Sequence, residues 1–225
     1  FYLLGKNSDK KIDFIDQLIL IILVYFIDGF LISIPFFLSN SQVSFLSALF
    51  ESISGLTGTG FSTYKDIKYL DPTLILWRSS SQWIGGLFFL IFLTLIFSNK
   101  IFNFKMTNLT YSGDSNFKSS ENIKNYILKI FIFYSVLSLI IFTLFTISGL
   151  RLFNSLNITM TLVSNGGFLP SDSLNEIISS NFQKITLIFA FILSFLNFYL
   201  LFNLFNKKIL LKSHKEDLNL ILLAI

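Results

Sequence analysis

The stretch SGLTGTGFST, residues 54–63, lies between runs of almost wholly apolar residues. Glycine loosens a backbone, and peptide groups left bare in hydrocarbon are expensive. The segment therefore reads either as an external turn or as backbone exposed to something polar. Its flanks set the context. Residues 14–38, 72–98, 126–148 and 185–206 each reach the roughly 20 mainly apolar residues that cross a bilayer. Asp16 and Asp28 fall in the first window, Arg78 in the second and Lys129 in the third, while the fourth carries no charge. The 225-residue chain is 53% hydrophobic and 13% charged, with mean hydropathy +0.70 and 29 Phe. Soluble domains carry about a quarter charged residues. The reading is an all-α integral membrane protein.

Composition also removes several kinds of chemistry. With no cysteine, disulfides and thiolate sites are unavailable. The single histidine, His214, stands in a lysine-rich stretch and reads as a solvated residue. The lysines give an orientation instead. Lys6, Lys10, Lys11, Lys100, Lys105, Lys118, Lys124, Lys129, Lys207, Lys208, Lys212 and Lys215 fall on one side of the four windows. Only Lys65, Lys68, Arg78, Arg151 and Lys184 fall on the other. Short-loop Lys and Arg favour the cytoplasm, so residues 44–71 and 151–182 are expected outside, with 99–121 and 207–216 inside. The net charge of +4 is then topological. Dispersed lysines without interleaved aromatics do not suggest nucleic acid.

The two outer connections resemble each other. SALFESISGLTGTGF, residues 47–61, and NSLNITMTLVSNGGF, residues 154–168, are both moderately apolar stretches ending in glycine. Placing Gly60-Phe61 over Gly167-Phe168 gives an offset of 107 residues, at which Leu49 meets Leu156, Ser52 meets Thr159, Ser54 meets Thr161 and Thr57 meets Ser164. The chain reads as two copies of one unit: span, short helix, glycine loop, span. Each short helix is too short to cross, so it would enter from outside and stop midway. Non-helical backbone at that depth must be buried in protein or line water. There its carbonyls can replace the hydration shell of a cation, and the negative end of the short helix favours one. The plainer alternative is that Gly60 and Gly167 merely cap two external helices.

SALFESISGLTGTGFST followed by LWRSSSQWIGG, together with IPFFLS at 34–39 and TMTLVSNGGF at 159–168, resembles the Trk/Ktr/HKT superfamily of potassium transporters. The resemblance covers nearly all of residues 14–206. It implies two of four span–pore-helix–filter-loop–span repeats in a potassium-channel-like membrane fold. Residues 12–98 would form the first repeat, 99–121 a cytoplasmic connector, 122–206 the second repeat, and 207–225 a connector opening a further span. It also implies potassium as the transported ion, carried on backbone carbonyls, and no covalent cofactor. The filter residues carried over are Thr57, Gly58, Thr59 and Gly60, with Ser164, Asn165, Gly166 and Gly167; Arg78 and Glu51 would support them. A homodimer in the plasma membrane and a cytosolic nucleotide-binding regulatory subunit are further implications. Two departures stand out: Gly58 where the family often has Thr, and Leu169 where a small polar residue is common. Because two loops cannot build a four-part filter and the first residue is Phe, the chain is expected to be the front half of a longer transporter.

Several single residues carry further expectations. Asp28 is expensive inside a span and invites a counter-charge such as Arg78. Glu51 is expected to start the first short helix, complementing its N-terminus. Arg78 is expected to brace the loops through carbonyls, since a cation facing the pathway would repel potassium. Gly85-Gly86 reads as a close-packing site, and Trp77 and Tyr69 as outer-interface residues. The competing function is a non-conducting membrane scaffold or regulatory subunit with vestigial pore loops. An enzyme would have little chemistry near the loops to work with.

Overall fold

The computed structural model describes residues 14–39, 43–98 and 120–195. The lysine-rich N-terminal stretch, most of the 99–121 connector, the end of the fourth window and the 207–225 segment lie outside these residues. Within them the order is α1 (Phe14–Ser39), α2 (Phe45–Leu56), a 3-10 turn (Ile67–Tyr69), α3 (Pro72–Ser98), α4 (Ser120–Ile147), α5 (Leu152–Val163), α6 (Leu174–Ile177) and α7 (Asn181–Phe195). No strand occurs among the described residues. Ile15–Ser39 and Ile127–Ile147 are long and apolar enough to cross a membrane. α3 has comparable length, 27 residues, but carries the polar run Arg78–Gln82.

The distribution of polarity is inverted relative to a water-soluble protein. Ile15, Ile22, Phe26, Leu128, Leu139 and Ile185 are each more than half exposed, whereas Glu51, Arg78, Gln82 and Asn157 are fully buried. Large apolar side chains facing outward along helices suit hydrocarbon; the same surface in water would be a broad exposed patch. The inward stripe of α4 follows helical spacing: Ile130, Tyr134, Leu137, Ile141 and Phe145 join Leu87, Ile158 and Val163 in the main core. A smaller cluster unites Phe36, Ala48 and Leu74.

Close backbone approach explains where α2 and α5 sit. A β-carbon at Gly85 would lie 1.9 Å from the Leu56 carbonyl oxygen, and one at Gly86 would lie 2.8 Å from Cβ of Ser164. Glycines at these two positions of α3 thus admit the ends of both 12-residue helices. Trp83 between α3 and α4 donates to Ser138 Oγ at 2.9 Å, and the Tyr134 hydroxyl donates to the Trp83 carbonyl at 3.1 Å. On the other flank, Ser52 Oγ donates to the Gly29 carbonyl at 2.7 Å, fastening α2 to α1.

Candidate functional site

The site begins with how α2 and α5 end. Thr57 caps α2 and Ser164 caps α5. The next residue in each case is left-handed: Gly58 at φ +67° and Asn165 at φ +52°. Gly58 N–H donates to the Gly55 carbonyl at 3.0 Å and Thr59 N–H to Ser54 at 3.0 Å. At the same 107-residue offset, Asn165 N–H donates to Leu162 at 3.0 Å and Gly166 N–H to Thr161 at 2.8 Å. These paired bonds form a Schellman end on each helix, which requires a left-handed residue just past the cap; after glycine, asparagine tolerates that best. Capping therefore belongs to Gly58 and Asn165, not to Gly60 and Gly167. Gly58, where the family often has Thr, closes the helix.

Gly60 and Gly167 meet. A β-carbon at Gly60 would stand 2.8 Å from Cα of Gly167, and Gly60 itself has φ +77°. A β-carbon at Gly58 would lie 3.7 Å from the Ser164 carbonyl oxygen, so the two loops face each other. Their amide hydrogens are largely taken up by the helix ends and by α3. Their carbonyls are not: among the described residues no hydrogen bond reaches the carbonyl oxygens of 57–60 or 164–167.

Behind the loops lies a buried ion pair. Arg78 Nε donates to Glu51 Oε1 at 2.7 Å, and both side chains are fully buried. Glu51 also accepts from Ser62 Oγ, from Thr63 N–H at 2.8 Å and from Thr63 Oγ1 at 3.1 Å. The same guanidinium donates to Ser62 Oγ at 3.0 Å and to the Leu169 carbonyl at 3.3 Å, and lies 4.2 Å over the Phe168 ring. Arg78 thus holds both loops, through a carboxylate first and a carbonyl second. Two expectations need correction. Glu51 is the seventh residue of α2, well inside a helix whose N-cap is Ser44, because its carboxylate is claimed by Arg78 and by the returning loop. Arg78 pairs with Glu51 of α2, and among the described residues no ion pair joins it to Asp28 of α1. Burial, then the Glu51 charge, pushes the Tyr64 hydroxyl above its ordinary range, and the Arg78 charge opposes this. Tyr64 accordingly stays neutral beside the pair.

Residues 4–223 match the TrkH family, described as cation transport protein. The chain belongs to that family. It is 29% identical over 176 residues to an uncharacterized cation transporter of Methanocaldococcus jannaschii, which covers 76% of this chain and 36% of the relative. It is 24% identical over 170 residues to the Trk system potassium uptake protein TrkG of Escherichia coli, covering 72% and 34%. The chain thus spans roughly a third of the length of these curated relatives. Its fold is that of the potassium transporter TrkH from Vibrio parahaemolyticus, with TM-score 0.73 at 22% identity over 94% of this chain and 41% of that one. These relatives are membrane transport proteins rather than enzymes, which agrees with the apolar outer faces.

The eight loop residues carried over from the family motifs follow the two facing helix ends, where Gly58 approaches Ser164 and Asn165 and Gly60 meets Gly167. Arg78 and Glu51 hold the residues that come next in each loop. Sequence reading missed the side chains that complete the frame. Ser62 and Thr63 are ligands of Glu51, and Gln82, fully buried, reaches the second loop from α3. Gln82 lies one helical turn beyond Arg78 on the same face, and that i, i+4 spacing within the polar run Arg78–Gln82 is the available signal.

Proposed function

We propose that this chain forms part of a membrane transporter for potassium uptake, in which Thr57–Gly60 and Ser164–Gly167 are backbone segments that receive the ion. The observation that carries this reading is the asymmetry of the two loops. Their amides are largely occupied by helix ends and Gln82, while their carbonyls are left without a partner among the described residues. Such oxygens can replace a cation's water, and the C-terminal ends of α2 and α5 add negative potential at the same place. In this reading each long–short–long group of helices is one span–pore-helix–span repeat. Two repeats supply half of a four-part filter, and further units of the same kind complete it. Residues 44–71 and 151–182 face outward in the plasma membrane, so uptake runs with a potential worth about 2.3 kcal/mol per charge per 100 mV. The lysine-rich connectors face a cytosolic nucleotide-binding regulatory subunit, and the transporter is a homodimer; both points rest on the family resemblance.

The test uses the full-length protein in a potassium-uptake-deficient strain on limiting potassium, with rubidium and sodium fluxes compared at matched membrane abundance. Gly60→Ser should weaken discrimination against sodium. Gly60→Val and Gly167→Val should abolish uptake. A β-carbon at Gly60 would stand 2.8 Å from Cα of Gly167, at a positive φ that Val tolerates poorly. One at Gly167 would crowd Cα of Gly60 at 3.2 Å, and the Val methyls add bulk. Wild-type transport by both Val variants would sink the filter reading and favour a scaffold with vestigial loops.

A further inference from the structure

We propose that Gln82 is a positioning residue that turns the carbonyls of Gly166 and Gly167 toward the ion and thereby helps set discrimination between cations. This rests on the reading of residues 164–167 as ion-receiving backbone. Gln82 is fully buried, and its Oε1 accepts from Gly167 N–H at 3.3 Å and from Phe168 N–H at 3.2 Å. In a trans peptide the N–H and the C=O of one unit point in opposite directions. Holding the amides of Gly167 and Phe168 on Gln82 therefore directs the carbonyls of Gly166 and Gly167 away from it. Successive amides converging on one acceptor are not what an extended chain adopts by default, since its peptide units alternate. A fixed acceptor is needed to keep them there.

Two more observations fit a positioning role better than a packing one. A β-carbon at Gly166 would lie 2.3 Å from Oε1 and 2.4 Å from Cδ of Gln82, although Gly166 does not have positive φ. A side chain at Gly166 would have to displace the Gln82 amide, whose end atoms all crowd that position. The Gln82 Nε2 is buried without a hydrogen-bond partner among the described residues. An unmade buried donor is destabilising, so an apolar side chain of the same length would fill this site better if packing were its only task. The acceptor oxygen is what the site keeps.

The test compares Gln82→Met with Gln82→Glu in the full-length transporter, reading the rubidium-to-sodium flux ratio at matched membrane abundance. Met keeps the length and removes the acceptor, whereas Glu keeps an acceptor oxygen whether or not it is protonated. Gln82→Met should lower the ratio about tenfold, as the loss of one to two hydrogen bonds' worth of orientation implies, and Gln82→Glu should restore most of it. A Gln82→Met transporter that discriminates like wild type would overturn the proposal, as would equal loss in both variants. If Gln82→Met does not reach the membrane, Gln82→Asn, which withdraws the oxygen by one methylene, takes its place with the same two outcomes. The filter reading is judged separately by Gly60→Val: if that variant loses uptake while the Gln82 variants keep full discrimination, only the role of Gln82 fails.

Discussion

The two loops are built alike at their helix ends and differently beyond them. The first is held largely by its own helix. The Ser54 carbonyl accepts from Thr59 and Gly60, Ser54 Oγ donates to the Phe61 carbonyl at 2.6 Å, and Glu51 takes Ser62 and Thr63. Beyond the bonds that end its helix, the second lacks these side-chain means. At the position matching Glu51 stands Ile158, buried in the apolar core, and Thr161 Oγ1 bonds back into its own helix. The amides of Gly167 and Phe168 and the Leu169 carbonyl go to Gln82 and Arg78 of α3. The first loop depends mostly on its own helix, with Arg78 behind it, and the second leans on α3 for both of its supports. Equal backbone shape can thus be reached by local or by borrowed bonds, and a loop with borrowed bonds is the more vulnerable to changes far from it in sequence.

The largest expected effect comes from the residue serving both loops. Arg78→Met leaves Glu51 buried with hydroxyls and one amide but no cation. Removing one member of a buried pair typically costs about 3–5 kcal/mol, so detergent-solubilised full-length protein should lose most of its thermal stability. Glu51→Gln combined with Arg78→Met removes the stranded charge and should recover part of that loss. A single Arg78→Met variant as stable as wild type would mean that the loops do not depend on this frame.

Much of this arrangement was legible beforehand, and the boundary is physical. Hydropathy marks α1, α3 and α4 because span length follows from bilayer thickness, and Gly60-Phe61 over Gly167-Phe168 gave the offset that the helix bounds Phe45–Leu56 and Leu152–Val163 keep. Side-chain partners were not legible in the same way. Glu51 sits mid-helix, where nothing local distinguishes a structural carboxylate from an N-terminal one; its partner lies 27 residues away. Gln82 and Phe168 are 86 residues apart, and only the close approach at Gly85 and Gly86 brings their elements together. Even the role of Gly58 needed φ, since a glycine that loosens a loop and one that closes a helix look the same as letters.

A smaller effect separates the two central glycines. Gly60 combines φ +77° with a β-carbon position 2.8 Å from Cα of Gly167, whereas Gly167 lacks positive φ and its own β-carbon would stand 3.2 Å from Cα of Gly60. Alanine at a left-handed position costs about 1–2 kcal/mol, a factor of roughly 5–30 in an equilibrium. Gly60→Ala should therefore reduce rubidium uptake several-fold more than Gly167→Ala at equal abundance. The reverse order would mean that the second loop, despite its borrowed supports, is the tighter constriction.

The smallest effect tests whether the helix ends are interchangeable. Gly58 and Asn165 occupy the same place after their caps, at φ +67° and +52°. A β-carbon at Gly58 would find nothing nearer than the Ser164 carbonyl oxygen at 3.7 Å and the Asn165 carbonyl oxygen at 4.0 Å, both ordinary contacts. Gly58→Asn should then cost less than about 1 kcal/mol, since asparagine tolerates the left-handed region, and rubidium uptake should stay near wild type. Asn165→Gly should be equally mild, because it gives up only a 3.5 Å contact from Asn165 Nδ2 to the Ser194 carbonyl, at the limit of a hydrogen bond. Gly58→Val supplies the contrast: a β-branched residue at positive φ is a steric outlier, so it should lower both thermal stability and uptake. If Gly58→Asn proves as harmful as Gly58→Val, φ is not what this position needs. The first loop would then require the empty space beside Gly58 itself, and the equivalence of the two helix ends would stop at their backbone.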